Sequence, residues 1–181
     1  MLSKTLVVLS ISLFALAVPL QERSVPTILA DVAAVNSDLV TLNNDLKNLA
    51  AAGANGLAAL QTDDNKLISD LEKSTADVQA NGPLNEQDGQ TVAAAVANAA
   101  GELISVLKEF DSTHGTFEQL NAVEPGLIAS TEQGIEAIAE LVQGFIGALD
   151  QVGPSDVVAA GAPLVTSVFL AFETAIATFQ N

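Results

Sequence analysis

Cysteine, tryptophan and tyrosine are all absent from this 181-residue chain, which has one histidine and only six basic residues against 22 acidic ones. Each gap closes off a class of protein. Without cysteine there is no disulfide framework, so the fold must hold by packing alone. Without Trp or Tyr the chain lacks the aromatic faces on which sugar-binding modules and glycosidases seat their substrates. The acidic excess repels phosphate backbones and anionic head groups, so no nucleic-acid partner and no electrostatic membrane docking is expected. There is no G-x-S-x-G elbow, no phosphate-binding glycine loop, no H-E-x-x-H helix and no D-x-[DN]-x-[DN]-G calcium loop. The expectation is a non-enzymatic protein with no catalytic residue, no metal site and no cofactor.

The few groups that could argue otherwise have ordinary explanations. His114 lies in Asp111-Ser112-Thr113-His114-Gly115, too crowded along the chain for a relay of nucleophile, base and orienting carboxylate. It reads as the last turn of a helix before a glycine, where a histidine caps carbonyls and suits the dipole. The Asp63-Asp64 pair reads as solvated acids, although Asp64 falls on an apolar seam near a helix start.

What is present begins with an export signal over residues 1–17. Lys4 supplies the positive start, Leu6 to Leu16 the apolar run and Ala15-Leu16-Ala17 the small-x-small cleavage pattern. At about 11 residues the run is short of the roughly 20 needed to cross a bilayer. Residues 18–24 form an extended leader, and 25–181 the domain. Cleavage removes Lys4 and leaves five basic residues against 22 acidic ones, a net charge of −17. No later stretch is expected to span a membrane, and Glu173 near the C-terminus interrupts any apolar tail of the kind a glycolipid anchor requires. The chain is 49% hydrophobic, too apolar for disorder.

Periodicity predicts an all-α antiparallel bundle of about five amphipathic helices in a single domain. Ile28, Val32, Val35, Leu39, Leu42, Leu46 and Leu49 recur at intervals of three and four, with Asp31, Asn36, Asp38, Asn43, Asp45 and Lys47 assigned to the outer face. A second helix is expected from about Gly56 to Ala80, stopped by Asn81-Gly82-Pro83. Asn85 with Asp88 forms a capping box for a third helix, whose seam runs Val92, Val96, Ala99, Leu103, Val106 and Phe110 before Gly115. A fourth unit opens near Thr116, is interrupted at Glu124-Pro125, and resumes through Ile135, Ile138, Val142 and Phe145. Ser155 is the expected cap of the last helix, with Pro163 bending its first turns.

Small seam residues such as Ala99, Gly161 and Ala175 admit two readings: close helix approach, or an interior void between larger walls. A dry void of a few hundred Å³ would cost on the order of 7 kcal/mol at about 24 cal/mol per Å³, a large share of a net stability of about 5–15 kcal/mol. A void of that size calls for an occupant. The candidate apolar lining is Phe110, Phe117, Ile138, Phe145, Val168, Phe169 and Phe172, with Thr131, Thr166 and Ser167 as candidate partners of a polar head group. The rival readings are a filled core, and hydroxyls that bond the preceding helical turn.

The export signal, the Val25-Pro26-Thr27-Ile28 opening, the Leu39-Val40-Thr41-Leu42-Asn43-Asn44-Asp45-Leu46 texture and the cysteine-free Ala, Leu and Val-rich helices together resemble the fungal hydrophobic surface-binding protein A family, which includes antigenic cell-wall galactomannoproteins. The likeness spans Val25 to the C-terminus. It implies a secreted or cell-wall helical protein that adsorbs to hydrophobic surfaces, where a secreted esterase is a possible partner, or encloses a fatty acid or other apolar small molecule. It carries no site residue over by motif. The alternative is a structural wall protein with a filled core and O-linked glycans.

Overall fold

The computed structural model describes residues 25–180, so the export signal and leader expected at 1–17 and 18–24 lie outside the described residues. Five α-helices follow one another: α1 (Val25–Ala52), α2 (Ala54–Asn81), α3 (Glu86–Asn121), α4 (Leu127–Val152) and α5 (Ser155–Phe179). Among the described residues there is no strand, as the periodicity requires.

Local chemistry sets the connections. Gly53, at φ +57°, turns the chain between α1 and α2 within a single residue, a left-handed conformation that a Cβ would strain. Asn85 caps α3 as expected: its Oδ1 accepts the Asp88 N–H at 2.9 Å, and its Nδ2 donates to the Asp88 carboxylate at 2.6 Å. All seven seam residues of α1 are buried.

The helices form a closed ring. α1 packs against α2 and α3, α3 against α5, α5 against α4, and α4 back against α2. Ile28, Val78, Val92, Phe145, Ala148 and Val152 share one apolar cluster at one end. That cluster joins the start of α1 and α3 to the end of α2 and α4, so successive helices run in opposite directions. A larger cluster fills the remainder, with Leu42, Leu67, Leu107, Phe117, Ile138 and Phe172 among its members.

The structure departs from the sequence expectation in several places. α3 does not stop at Gly115 but continues to Asn121. A mid-helix glycine costs only about 0.5–1 kcal/mol, and two residues further on Phe117, 2% exposed, offsets that by burial. α4 accordingly begins at Leu127 rather than near Thr116, after Gly126 at φ +96°, whose N–H is held by Asn121 Oδ1 at 3.0 Å. Ser155 is the first residue of α5, and no side chain caps that helix.

Asp31, Asp38 and Asn43 are buried rather than outward. Lys73 clasps Asp31 and Lys66 clasps Asp38 from α2, while Asn43 Nδ2 donates to Ser105 Oγ of α3 at 3.1 Å. Finally, α1, α3 and α5 are each long and apolar enough to cross a membrane by length and composition. The expectation of no such stretch failed because widely spaced acids leave long helical windows with almost no charge.

Candidate functional site: a row of cavities between the helices

Three half-open, largely apolar cavities follow one another down the ring. The first, about 150 Å³, lies between α1, α2, α3 and α4 and is bounded by Leu42, Leu57, Phe110, Phe117, Ile135 and Ile138. The second, about 80 Å³, is walled by all five helices, including Leu39, Ala99, Val142, Phe145 and Val168. The third, about 110 Å³, sits between α3, α4 and α5 and shares the walls Val96, Ile146, Leu164 and Val165 with the second. On α4 the lining runs from Leu127 to Asp150, 23 steps along the chain or about 35 Å at 1.5 Å per residue. From the first cavity to the second is one helical turn, Ile138 to Val142.

A Cβ on Gly89 would meet Pro154 Cδ at 2.6 Å, so this glycine permits close contact, whereas nothing lies within 4 Å of a Cβ on Gly161, which borders the third cavity.

The candidate lining residues divide among these spaces. Phe110, Phe117, Ile138 and Thr131 meet in the first cavity, and Phe145 and Val168 in the second. Phe172 is buried in the core beside Phe169, ring centroids 6.4 Å apart, and neither lines one of the three cavities. Thr166 and Ser167 are exposed; their hydroxyls donate to Ala162 O at 3.1 Å and Pro163 O at 3.0 Å. They are not brought together with Thr131, whose own hydroxyl donates to Leu127 O at 2.9 Å. Phe179 packs behind two of the first cavity's rings, 6.2 Å from Phe110 and 5.4 Å from Phe117 between centroids. His114 stands edge-on to it at 4.9 Å, in mid-helix rather than at a helix end.

The polar wall of the first cavity consists of Gln61, Asp64, Ser130 and Thr131. Gln61 and Ser130 escaped the sequence reading. Gln61 was detectable, since it lies one turn before Asp64 on the face that carries Leu57, Leu60 and Leu67. Asp64 is half-buried, and this desolvation raises its carboxyl above the ordinary carboxylate range. Across from it lies Gly134, where a Cβ would be 3.5 Å from Asp64 Oδ2.

A second polar feature joins α1 to α2. Lys73 bonds Asp31 and, at 3.0 Å, Asp77; one heptad earlier Lys66 bonds Asp38 and, at 3.0 Å, Asp70. Burial, opposed by Lys66, raises the Asp38 carboxyl, while the Lys66 ammonium lowers that of Asp70. A heptad further on Asp63 meets Asp45 with no lysine between them, and burial followed by that carboxylate raises Asp63. Among the described residues no group of three or more His, Asp or Glu side chains could hold a metal ion.

A family model described as hydrophobic surface binding protein A matches residues 25–151. The chain belongs to this family, HsbA. A search of curated protein sequences finds no significant match. Solved structures share the HsbA chain's fold. AFMP4P in complex with palmitic acid superposes with a TM-score of 0.80 at 22% identity, covering 86% of this chain and 99% of its own. Ligand binding domain 2 of the Penicillium marneffei MP1 protein, complexed with multiple arachidonic acids, gives 0.74 at 14% identity, with 88% and 97% covered. Ligand binding domain 1 of that protein, complexed with arachidonic acids, gives 0.73 at 14% identity, with 88% and 99% covered.

Proposed function

We propose that this HsbA-family chain is an exported, non-enzymatic protein that takes the acyl chain of a fatty-acid-like lipid into the bundle interior. The row of apolar cavities running the length of α4 carries the reading. It is supported by the relatives of the same fold that were solved with palmitic and arachidonic acids. The three cavities are half-open between the helices, and an apolar occupant withdraws their apolar walls from water. Each is smaller than the ~300–1,000 Å³ of a typical ligand site. Entry therefore requires the helices to part transiently at Gly144, Gly147 and Pro163 and to close again around the joined cavities. The export signal at 1–17 directs the protein outside the cell or into the wall, with residues 25–181 as one domain.

Delipidated protein should saturate with a fluorescent acyl probe that a fatty acid then displaces, and native mass spectra of detergent-free protein should carry a lipid mass. A sharp bare mass with no saturable probe binding would overturn the proposal. Adsorption to an apolar solid is a second reading, favoured by Leu170, 61% exposed beside a shallow trough that includes Ile104, Leu107 and Ala171.

A further inference from the structure

The first cavity has a polar wall without a cation. Four lysines lie among the described residues: Lys66 and Lys73 are engaged with aspartates, and Lys47 and Lys108 are exposed, Lys108 beside the surface trough. None lines the three cavities. The one charged side chain facing the first cavity is Asp64, accompanied by Gln61, Ser130 and Thr131. A carboxylate inserted there meets a like charge in a partly dry setting, which disfavours it, whereas an O–H finds an acceptor waiting.

Other ionisable groups around Asp64 do not soften this. Asp45 of α1 is taken by Asp63, Glu132 of α4 receives the Gln180 amide at 2.9 Å, Glu136 is exposed, and His114 of α3 is against Phe179. Burial alone accounts for the raised carboxyl of Asp64, with no charged neighbour contributing.

We propose that the cavity bounded by Phe117 and Ile138 receives the uncharged, hydroxyl-bearing head group of a single-chain lipid, with Asp64 accepting the O–H and turning away carboxylates. A fatty alcohol or monoacylglycerol fits directly, and a fatty acid enters carrying its proton. The inference rests on interior lipid binding as proposed above, and names which head group that interior selects.

Titration of the delipidated full chain with dodecanol and with dodecanoate, each displacing a neutral acyl probe, tests it. At about pH 8 dodecanol should bind at least about 10-fold more tightly. Asp64→Asn should strengthen dodecanoate binding by a similar factor and leave dodecanol within about 3-fold, since the amide oxygen still accepts. Thr131→Val, a second variant in the same wall, should keep the preference for dodecanol. Equal binding of the two ligands by the wild type, or an unchanged ratio in Asp64→Asn, would overturn the assignment while interior binding stands. Failure of both ligands to bind would instead overturn interior binding, and this assignment with it.

Discussion

Replacing Gly144 and Gly147 together by alanine separates stability from ligand entry. Both lie inside α4, and a Cβ on either meets nothing within 4 Å, so no steric cost accompanies the change. Glycine inside a helix is destabilising by about 0.5–1 kcal/mol relative to alanine, so the pair should gain about 1–2 kcal/mol. At about 2–4 °C per kcal/mol for a chain of this size, the melting temperature should rise by roughly 2–8 °C. If α4 flexes at these glycines to let an acyl chain pass, the open form is penalised by the same amount, a factor of about 5–30 in population. Stopped-flow transfer of a fluorescent acyl probe from the loaded protein to albumin should then slow by that factor while equilibrium affinity changes little. A stabilised variant with unchanged transfer would refute the hinge, and a destabilised one would refute the reading of open space around α4.

Lys73→Met leaves the buried Asp31 carboxylate without its cation and should cost about 2 kcal/mol in urea unfolding, reduced from the usual buried-pair figure because the ammonium is half in water; Asp31→Asn in the same chain should restore part of it. Asn85→Ala removes the α3 cap and should cost about 1 kcal/mol by the same measurement. The raised carboxyls of Asp38, Asp63 and Asp64 favour the fold when protonated, a contribution complete below the unfolded value of 3.8 and lost as pH rises through their higher folded values. Asp70, lowered, acts in the opposite sense, but below 3.8. The melting temperature should therefore be higher at about pH 4.5 than at about pH 7.5, and no increase would contradict the assigned shifts. Leu170→Glu should weaken adsorption to polystyrene at least about 3-fold while leaving acyl-probe binding intact, since Leu170 lies on the outer surface and lines none of the three cavities.

Helix number, the α1 seam and the Asn85 cap were legible because each is local: a 3.6-residue period and a side chain reaching three residues ahead. Family membership was legible in the same texture. The end of α3 was not, since whether Gly115 terminates or is tolerated depends on Phe117 finding a partner in Phe179, some 60 positions away. The burial of Asp31 and Asp38 was hidden for a similar reason, because their lysines belong to the next helix. Of the candidate lining, Phe110, Phe117 and Ile138 sit together because they occupy seam positions. Thr166 and Ser167 follow the outer face of α5, which a nearly all-apolar helix gives no pattern to distinguish. Asp64 signalled itself as an acid in an apolar stripe.

The lysine rungs make the ring mechanically uneven. The ion pairs found here lie within α2 or tie it to α1, whereas α4 and α5 meet through aliphatic and phenyl groups. Added salt loosens the first kind of fastening and tightens the second. Ionic strength thus becomes a dial on which side of the barrel gives way first: in dilute medium the α4–α5 seam is the natural door, and in brine the α1–α2 rail loses its advantage.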